Sequence, residues 1–447
     1  MMPLPKEGFL MRALKLPVVF VCVFVLQAHV LGEWPSVQSA RPRVEGLASV
    51  GVAPDRLDRL HQGMQGFVDR KEASGIVTLI AREGKLVDLH AVGLADIEKN
   101  VPMKTDSIFR IASMTKPITS VAVMMLFEEG KLFLTDPVSK FIPAFKSSMV
   151  MEGAGAEAKP VPARRAITIR DLLSHRGGIT YGFLNGGAVG GSYRKNGVTD
   201  GLTSTPLTLE ENVNKLAAEP LVSQPGDRFN YSLSTDVLAR VVEVVSGQKF
   251  DAFLRDRIFT PLKMVDTDFV VPDAKWSRFV TVYSPDGKGG IRPMNDPETF
   301  GNTNMSPWQL YKTGRTYFSG GAGLASTASD YARFANMLLN GGTLDGVRLL
   351  SPKTVELMTM SHTSELTPPL PLLGPGVNFG LGFRVVTDLA ATQSLGSNGL
   401  YGWIGIYGTS FWVDPKEKLV AVMLVQKYPN PTVTATFQTL VYQTLVR

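Results

Sequence analysis

Phe109-Arg110-Ile111-Ala112-Ser113-Met114-Thr115-Lys116 runs into a helical pattern whose apolar positions are Ile118, Val121, Met124, Met125 and Phe127. The pattern reads as a long amphipathic helix with Ser113 in its first turn. A serine and a lysine three residues apart share one helix face. Peptide N–H groups of a first turn have no acceptor inside the helix, and the positive end of the dipole lies there, so the position favours a developing oxyanion. A partly desolvated lysine beside the serine can lose its proton and accept the serine's. The tetrapeptide alone leaves a second reading open, in which Ser113 caps the helix and Lys116 is solvated.

Ser-x-x-Lys occurs twice more, at Ser192/Lys195 and Ser246/Lys249. Ser192 lies in Gly186-Gly187-Ala188-Val189-Gly190-Gly191-Ser192, which reads as a mobile surface loop bordering the active site. That stretch does not match a dinucleotide or phosphate loop. Ser246 ends a helix that Gly247 terminates. Other hydrolytic signatures are missing: there is no Gly-x-Ser-x-Gly, no His-Glu-x-x-His, and nothing marks His61, His90, His175 or His362 as part of a triad. No metal site is expected. The single cysteine, Cys22, leaves no disulfide and no thiol nucleophile in the rest of the chain.

Outward from this centre, Pro54-Asp55-Arg56 starts a helix with Leu57, Leu60, Met64 and Phe67 on one face. Ile76 to Ala81 and Leu86 to Val92 flank the turn Arg82-Glu83-Gly84-Lys85 and read as a hairpin. Far along the chain, Val377 to Val386, Trp403 to Val413 and Leu419 to Val425 read as strands, and Thr432 to Val446 as a terminal helix. Helical patterns fill the middle: Ile169 to Leu173, Leu209 to Ala218, and Asp236 to Ser246. The expected architecture is α/β (α+β), with one antiparallel sheet built from both chain ends, flanking helices and a mostly helical inserted subdomain at roughly 128–320. The hydrolase domain would span 33–447.

Residues 1–32 read as an export signal: Arg12 and Lys15 precede eleven apolar residues from Leu16 to Leu26, too few for a bilayer span, which takes about 20. A periplasmic or secreted protein is expected, with membrane tethering left open. Hydrophobic residues make up 44% of the 447 and charged residues 19%, a globular balance. The formal net charge is +6; Lys6, Arg12 and Lys15 outweigh Glu7 by two charges in the leader, leaving +4 without any Lys/Arg run. Nucleic acid is therefore not an expected partner.

Phe109–Lys116 resembles the nucleophile region of the serine β-lactamase and penicillin-binding family, and the likeness runs from about residue 50 to the end. Leu172-Leu173-Ser174-His175-Arg176-Gly177-Gly178 resembles the family's His-Thr-Ser-Gly segment. Pro225-Gly226-Asp227-Arg228-Phe229-Asn230-Tyr231-Ser232 resembles the stretch with the second motif, and Gly321 to Asp330 the segment that returns the chain to the sheet. The resemblance implies Ser113 as nucleophile, with Lys116 and Tyr231 sharing its proton traffic. The literal Lys312-Thr313-Gly314 precedes Gly321–Asp330 and is taken as a decoy of the third motif. The matching strand is Trp403-Ile404-Gly405-Ile406-Tyr407-Gly408, with tryptophan in place of lysine. There the backbone N–H of Ile406 would pair with that of Ser113 as the oxyanion hole, and Gly405 would keep the strand edge open to substrate. Leu233 stands where the lactamases usually carry Asn.

Ser-x-x-Lys with Tyr-Ser-Leu and Trp-x-Gly is similar to the bacterial family VIII carboxylesterases. Trp403 and Leu233 remove groups that would recognise a β-lactam or peptide, so a small, uncharged acyl ester is the implied substrate. Hydrolysis would pass through an acyl-Ser113 intermediate with no cofactor. A β-lactamase or D-alanyl-D-alanine carboxypeptidase is the alternative, and a catalytically silent binding protein a third reading. No obligate protein partner is evident, and oligomeric state is left open.

Overall fold

A computed structural model describes residues 47–153, 157–366, 370–429 and 433–447. The expected export signal lies outside the described residues. No described helix is long and apolar enough to cross a membrane.

The hairpin β1 (Gly75–Arg82) and β2 (Lys85–Asp96) forms where Glu83 and Gly84 both take positive φ, 52° and 75°. Two such residues make the turn whose twist suits paired strands. A short β3 (Val101–Pro102) follows, and the other five strands come from the far end of the chain. They are β4 (Val377–Phe379), β5 (Arg384–Val386), β6 (Tyr401–Ile404), β7 (Ser410–Asp414) and β8 (Leu419–Leu424). The eight strands lie in the order β4-β5-β6-β7-β8-β1-β2-β3, and every neighbouring pair is antiparallel. The two chain ends meet at β1 and β8, where Leu79 faces Val422.

Every residue of β1 and β8 is buried, so helices cover both faces of the sheet. Neighbouring residues on β7 show which helix covers which face, because adjacent strand side chains point to opposite sides. Phe411 meets Tyr331 of α7 (Ala328–Leu339), with ring centroids 4.8 Å apart. Trp412 meets Phe437 of the terminal helix α8 (Val433–Tyr442) at 5.2 Å. The first helix, α1 (Pro54–Asp69), packs beside α8 and buries the four expected residues Leu57, Leu60, Met64 and Phe67. Each such side chain contributes about 2 kcal/mol on leaving water.

Between the two strand-forming ends, α2 (Thr115–Glu128) packs along α6 (Ser234–Ser246). The helices α3 (Ile169–Leu173) and α5 (Leu209–Ala217) each start on a reciprocal capping box, Thr168 with Asp171 and Thr208 with Glu211. Gly247, at φ 71°, ends α6 as expected. Short two-stranded ladders punctuate the same region, at Met149–Glu152 with Lys159–Pro162 and at Tyr283–Pro285 with Ile291–Pro293.

Three expectations are corrected. The glycine-rich stretch at Gly186–Ser192 is not a loop throughout, because Ala188–Lys195 forms the helix α4. Val189 and Tyr193, four residues apart and both buried, anchor one face of it. The helix after Ser113 is not amphipathic: all residues from Thr115 to Leu126 are buried, with α6 packed along it. Finally, Val377–Val386 and Trp403–Val413 are each two strands rather than one. The first turns at Gly380–Phe383 and the second at Gly405–Thr409, closed by Gly380 N–H on Phe383 O at 2.8 Å and Gly405 N–H on Thr409 O at 2.7 Å.

Candidate active site

From Ser107 to Leu126 every residue is buried except Ser113, which is half-exposed. Its exposure follows from a sharp elbow. Ala112 holds φ at +42°, and Ala112–Met114 makes a 3-10 turn before α2 begins. An L-residue with positive φ costs about 1–3 kcal/mol and persists only when its surroundings impose it. Here they do. Ile111 N–H donates to Leu324 O at 3.0 Å, Leu324 N–H to Thr115 Oγ1 at 3.1 Å, and Tyr331 O–H to Met114 O at 2.8 Å. Arg110, fully buried, lies with its guanidinium carbon 3.6 Å from the centre of the Phe279 ring and donates to Val280 O.

Lys116 is fully buried with three partners: Ser113 Oγ at 3.3 Å, Tyr181 Oη at 2.9 Å and Gly321 O at 2.7 Å. Loss of hydration lowers its pKa from 10.5 to about 7, against the opposing pull of the Asp236 carboxylate. A neutral amine has two N–H donors and one lone pair. Gly321 O can only accept, and the Tyr181 hydroxyl accepts the second donor, which leaves the lone pair for the Ser113 O–H.

Tyr231, in the loop before α6, completes the group. Its hydroxyl accepts from Trp403 Nε1 at 3.3 Å, and its ring lies 4.5 Å from Lys116 Nζ. Burial raises its pKa above the ordinary 10, although the Ser113 and Trp403 side chains favour its ionised form. At neutral pH it is a phenol, able to give a proton. His175 packs its ring 4.9 Å from that of Tyr231, while its Nδ1 faces Ser232 Oγ at 3.2 Å. Burial, and then the Lys116 charge, hold His175 well below 6.5, so it is neutral.

The structure thus gathers Ser113, Lys116, Tyr231 and Trp403. Gly405 also lies against the segment that leads into Ser113: a Cβ there would stand 2.5 Å from Ile111 O and 2.2 Å from Thr409 Oγ1. Ile406 packs on the small cluster that contains Ala112 and Tyr407, and its N–H has no acceptor among the described residues. Leu233 is set apart. It is 1% exposed and belongs to the main core, so it offers no surface to a substrate in this conformation. Trp403 is 5% exposed and reaches the site through its hydrogen bond to Tyr231. The literal Lys312-Thr313-Gly314 lies outside the sheet, in the wall of a separate cavity of about 670 Å³ with Trp276 and Arg315. No cluster of metal-ligating residues occurs among the described residues.

Sequence reasoning missed Tyr181 and Asp236. Tyr181 follows the Gly177-Gly178 turn and is buried against Phe183, with ring centroids 4.9 Å apart. Asp236 is fully buried on α6 and accepts from Tyr317 Oη at 2.8 Å.

The sequence and the fold are both similar to those of known proteins. The Beta-lactamase family model matches residues 60–442. Protein Rv1367c of Mycobacterium tuberculosis (strain ATCC 25618 / H37Rv) is 36% identical over 389 residues, 85% of this chain and 92% of its own. Esterase EstB of Burkholderia gladioli is 34% identical over 358 residues, covering 78% of this chain and 85% of that protein. The solved structure of EstCE1, described as a hydrolase with promiscuous acyltransferase activity, is similar with a TM-score of 0.74 at 30% identity, covering 86% of this chain and 97% of that chain. With its antiparallel sheet drawn from both chain ends and esterases among its relatives, the chain belongs to the beta-lactamase family.

Proposed function

We infer that this protein is a serine carboxylesterase that hydrolyses small, uncharged acyl esters through an acyl-Ser113 intermediate. The observation that carries the reading is the buried Lys116 amine, whose two other partners leave its lone pair for Ser113 Oγ. In acylation Lys116 takes the Ser113 proton as Oγ bonds to the ester carbonyl carbon. The N–H groups of Ser113 and Ile406 would receive the negative charge on the carbonyl oxygen. When the C–O bond to the alcohol breaks, the Tyr231 phenol protonates the departing oxygen and is reprotonated from the Lys116 ammonium. Water then attacks the acyl carbon and gives up a proton to the same pair, which returns it to Ser113 Oγ as the acyl C–O bond breaks and the acid leaves.

The substrate class follows from what surrounds these groups. Trp403 occupies the position at which a third-motif lysine would meet a substrate carboxylate, and its N–H is already engaged with Tyr231. A site without that cation favours an uncharged ester over a carboxylate-bearing lactam or peptide. Relatives named as esterases support the same class.

The test compares hydrolysis of p-nitrophenyl esters, acetate to octanoate, with that of a chromogenic cephalosporin. Ester turnover that exceeds lactam turnover and falls by about 10³-fold or more in Ser113→Ala is expected. Efficient cephalosporin hydrolysis with poor ester turnover would overturn the reading in favour of a lactamase.

A further inference from the structure

Lys116 meets more than its three hydrogen-bond partners. Gly321, whose carbonyl accepts from Lys116 Nζ at 2.7 Å, is ringed by three other polar groups, among them Thr235 Oγ1, which would stand 3.1 Å from a Cβ placed there. A methyl group placed on Gly321 would stand 2.7 Å from Asp236 Oδ2 and 2.9 Å from the Tyr181 hydroxyl. The base and a buried carboxyl therefore face each other across one side-chain-free residue. Asp236 is fixed in place: Asn212 Nδ2 donates to Tyr317 Oη at 2.9 Å, and Tyr317 donates to Asp236 Oδ1 at 2.8 Å. That relay supplies a proton donor to one carboxylate oxygen, which favours the ionised carboxylate. Asp236 Oδ2 makes no close hydrogen bond among the described residues, and the nearby Ser319 hydroxyl, like Tyr317, favours the ionised carboxylate.

We propose that Asp236 is a positioning residue for the reaction, a buried carboxylate that stabilises the ammonium formed when Lys116 accepts the Ser113 proton. The inference rests on the esterase reading for its kinetic part only. Other charged or titratable groups face the pair. Tyr181 and Tyr231 lie on the Lys116 side, and His175 feels the lysine charge. On the far side Asp236 feels Asp200 and acts on Arg315. Asp200 opposes ionisation of Asp236, whereas Lys116 favours it. Burial pushes the Asp236 carboxyl above its ordinary range and the Lys116 amine below its own, so the two titrate as a linked pair.

The variant Asp236→Asn keeps the shape and an acceptor for Tyr317 but removes the negative charge. The sign is fixed by Coulomb attraction: without the carboxylate, Lys116 holds its proton less tightly and titrates at lower pH. Lysine labelled with ¹³C at Cε reports this titration directly, with the Lys116 signal identified by its loss in Lys116→Arg. We expect the Lys116 midpoint and the acid limb of kcat/KM to move down together by about one pH unit. We expect kcat to fall about tenfold or more, with KM within about twofold. Should Asp236→Asn fail to fold, Tyr317→Phe removes the donor that stabilises the carboxylate and should shift both readouts the same way by less. A folded Asp236→Asn protein whose Lys116 midpoint and acid limb match the wild type overturns the proposal. A wild-type protein without ester turnover overturns the esterase reading instead, and the lysine titration then still decides this one.

Discussion

Lys116 Nζ stands 3.3 Å from Ser113 Oγ, and the lysine is fully buried while the serine is half-exposed. Ser113 is open to solvent, whereas Lys116 meets only protein. That division lets the fold set the lysine's proton affinity without water interfering.

The first prediction is a pH dependence. Desolvation brings Lys116 to about 7, and only its neutral form can accept the Ser113 proton. Ester turnover should fall about tenfold per pH unit well below that value and level off above it. Stability carries the same signature. Between about 7 and the ordinary 10.5, the unfolded chain binds a proton at Lys116 that the folded one lacks, so stability rises with pH through that window. Urea titrations at pH 7 and pH 10 should show this rise, and Lys116→Met should lose it.

Trp403→Phe isolates one hydrogen bond. The phenyl ring keeps the packing against Phe379, whose centroid is 5.2 Å away, but cannot donate to Tyr231. A bond of this kind contributes about 1 kcal/mol. We expect kcat to drop about fivefold with KM and Tm nearly unchanged. An unaltered kcat would show that Tyr231 needs no help from the indole.

Gly405 offers a backbone test. The Cβ of Gly405→Ala would meet Ile111 O and Thr409 Oγ1 at 2.5 and 2.2 Å and push the Gly405–Thr409 turn away from the elbow at Ala112. Turnover should decline more than about tenfold, since about 1 Å of misplacement costs about a hundredfold in a positioned reaction. Thermal melting would separate this local effect from general unfolding, because the sheet itself remains paired.

Much of this was legible in the sequence where the causes are local. The β1–β2 hairpin announces itself through its turn residues, and α1 through apolar spacing that the structure buries residue for residue. Ser113 and Lys116 were readable because three residues along one turn suffice to bring them together. Tyr181 and Asp236 left no such trace, since each reaches Lys116 only after distant segments pack. The helix α4 was hidden by its glycines: composition spoke for a loop, while two buried anchors, Val189 and Tyr193, decided for a helix. The turns that split Val377–Val386 and Trp403–Val413 contain glycines that were visible, but apolar residues on both sides masked them.

The most direct test of the account traps the covalent intermediate. The protein is mixed with p-nitrophenyl butyrate, quenched in acid within the first turnovers, digested and weighed by mass spectrometry. One butyryl group on the peptide containing Ser113, absent from Ser113→Ala, is the predicted result. Steady ester turnover with an unmodified Ser113 peptide, or with the acyl group on another residue, would contradict it.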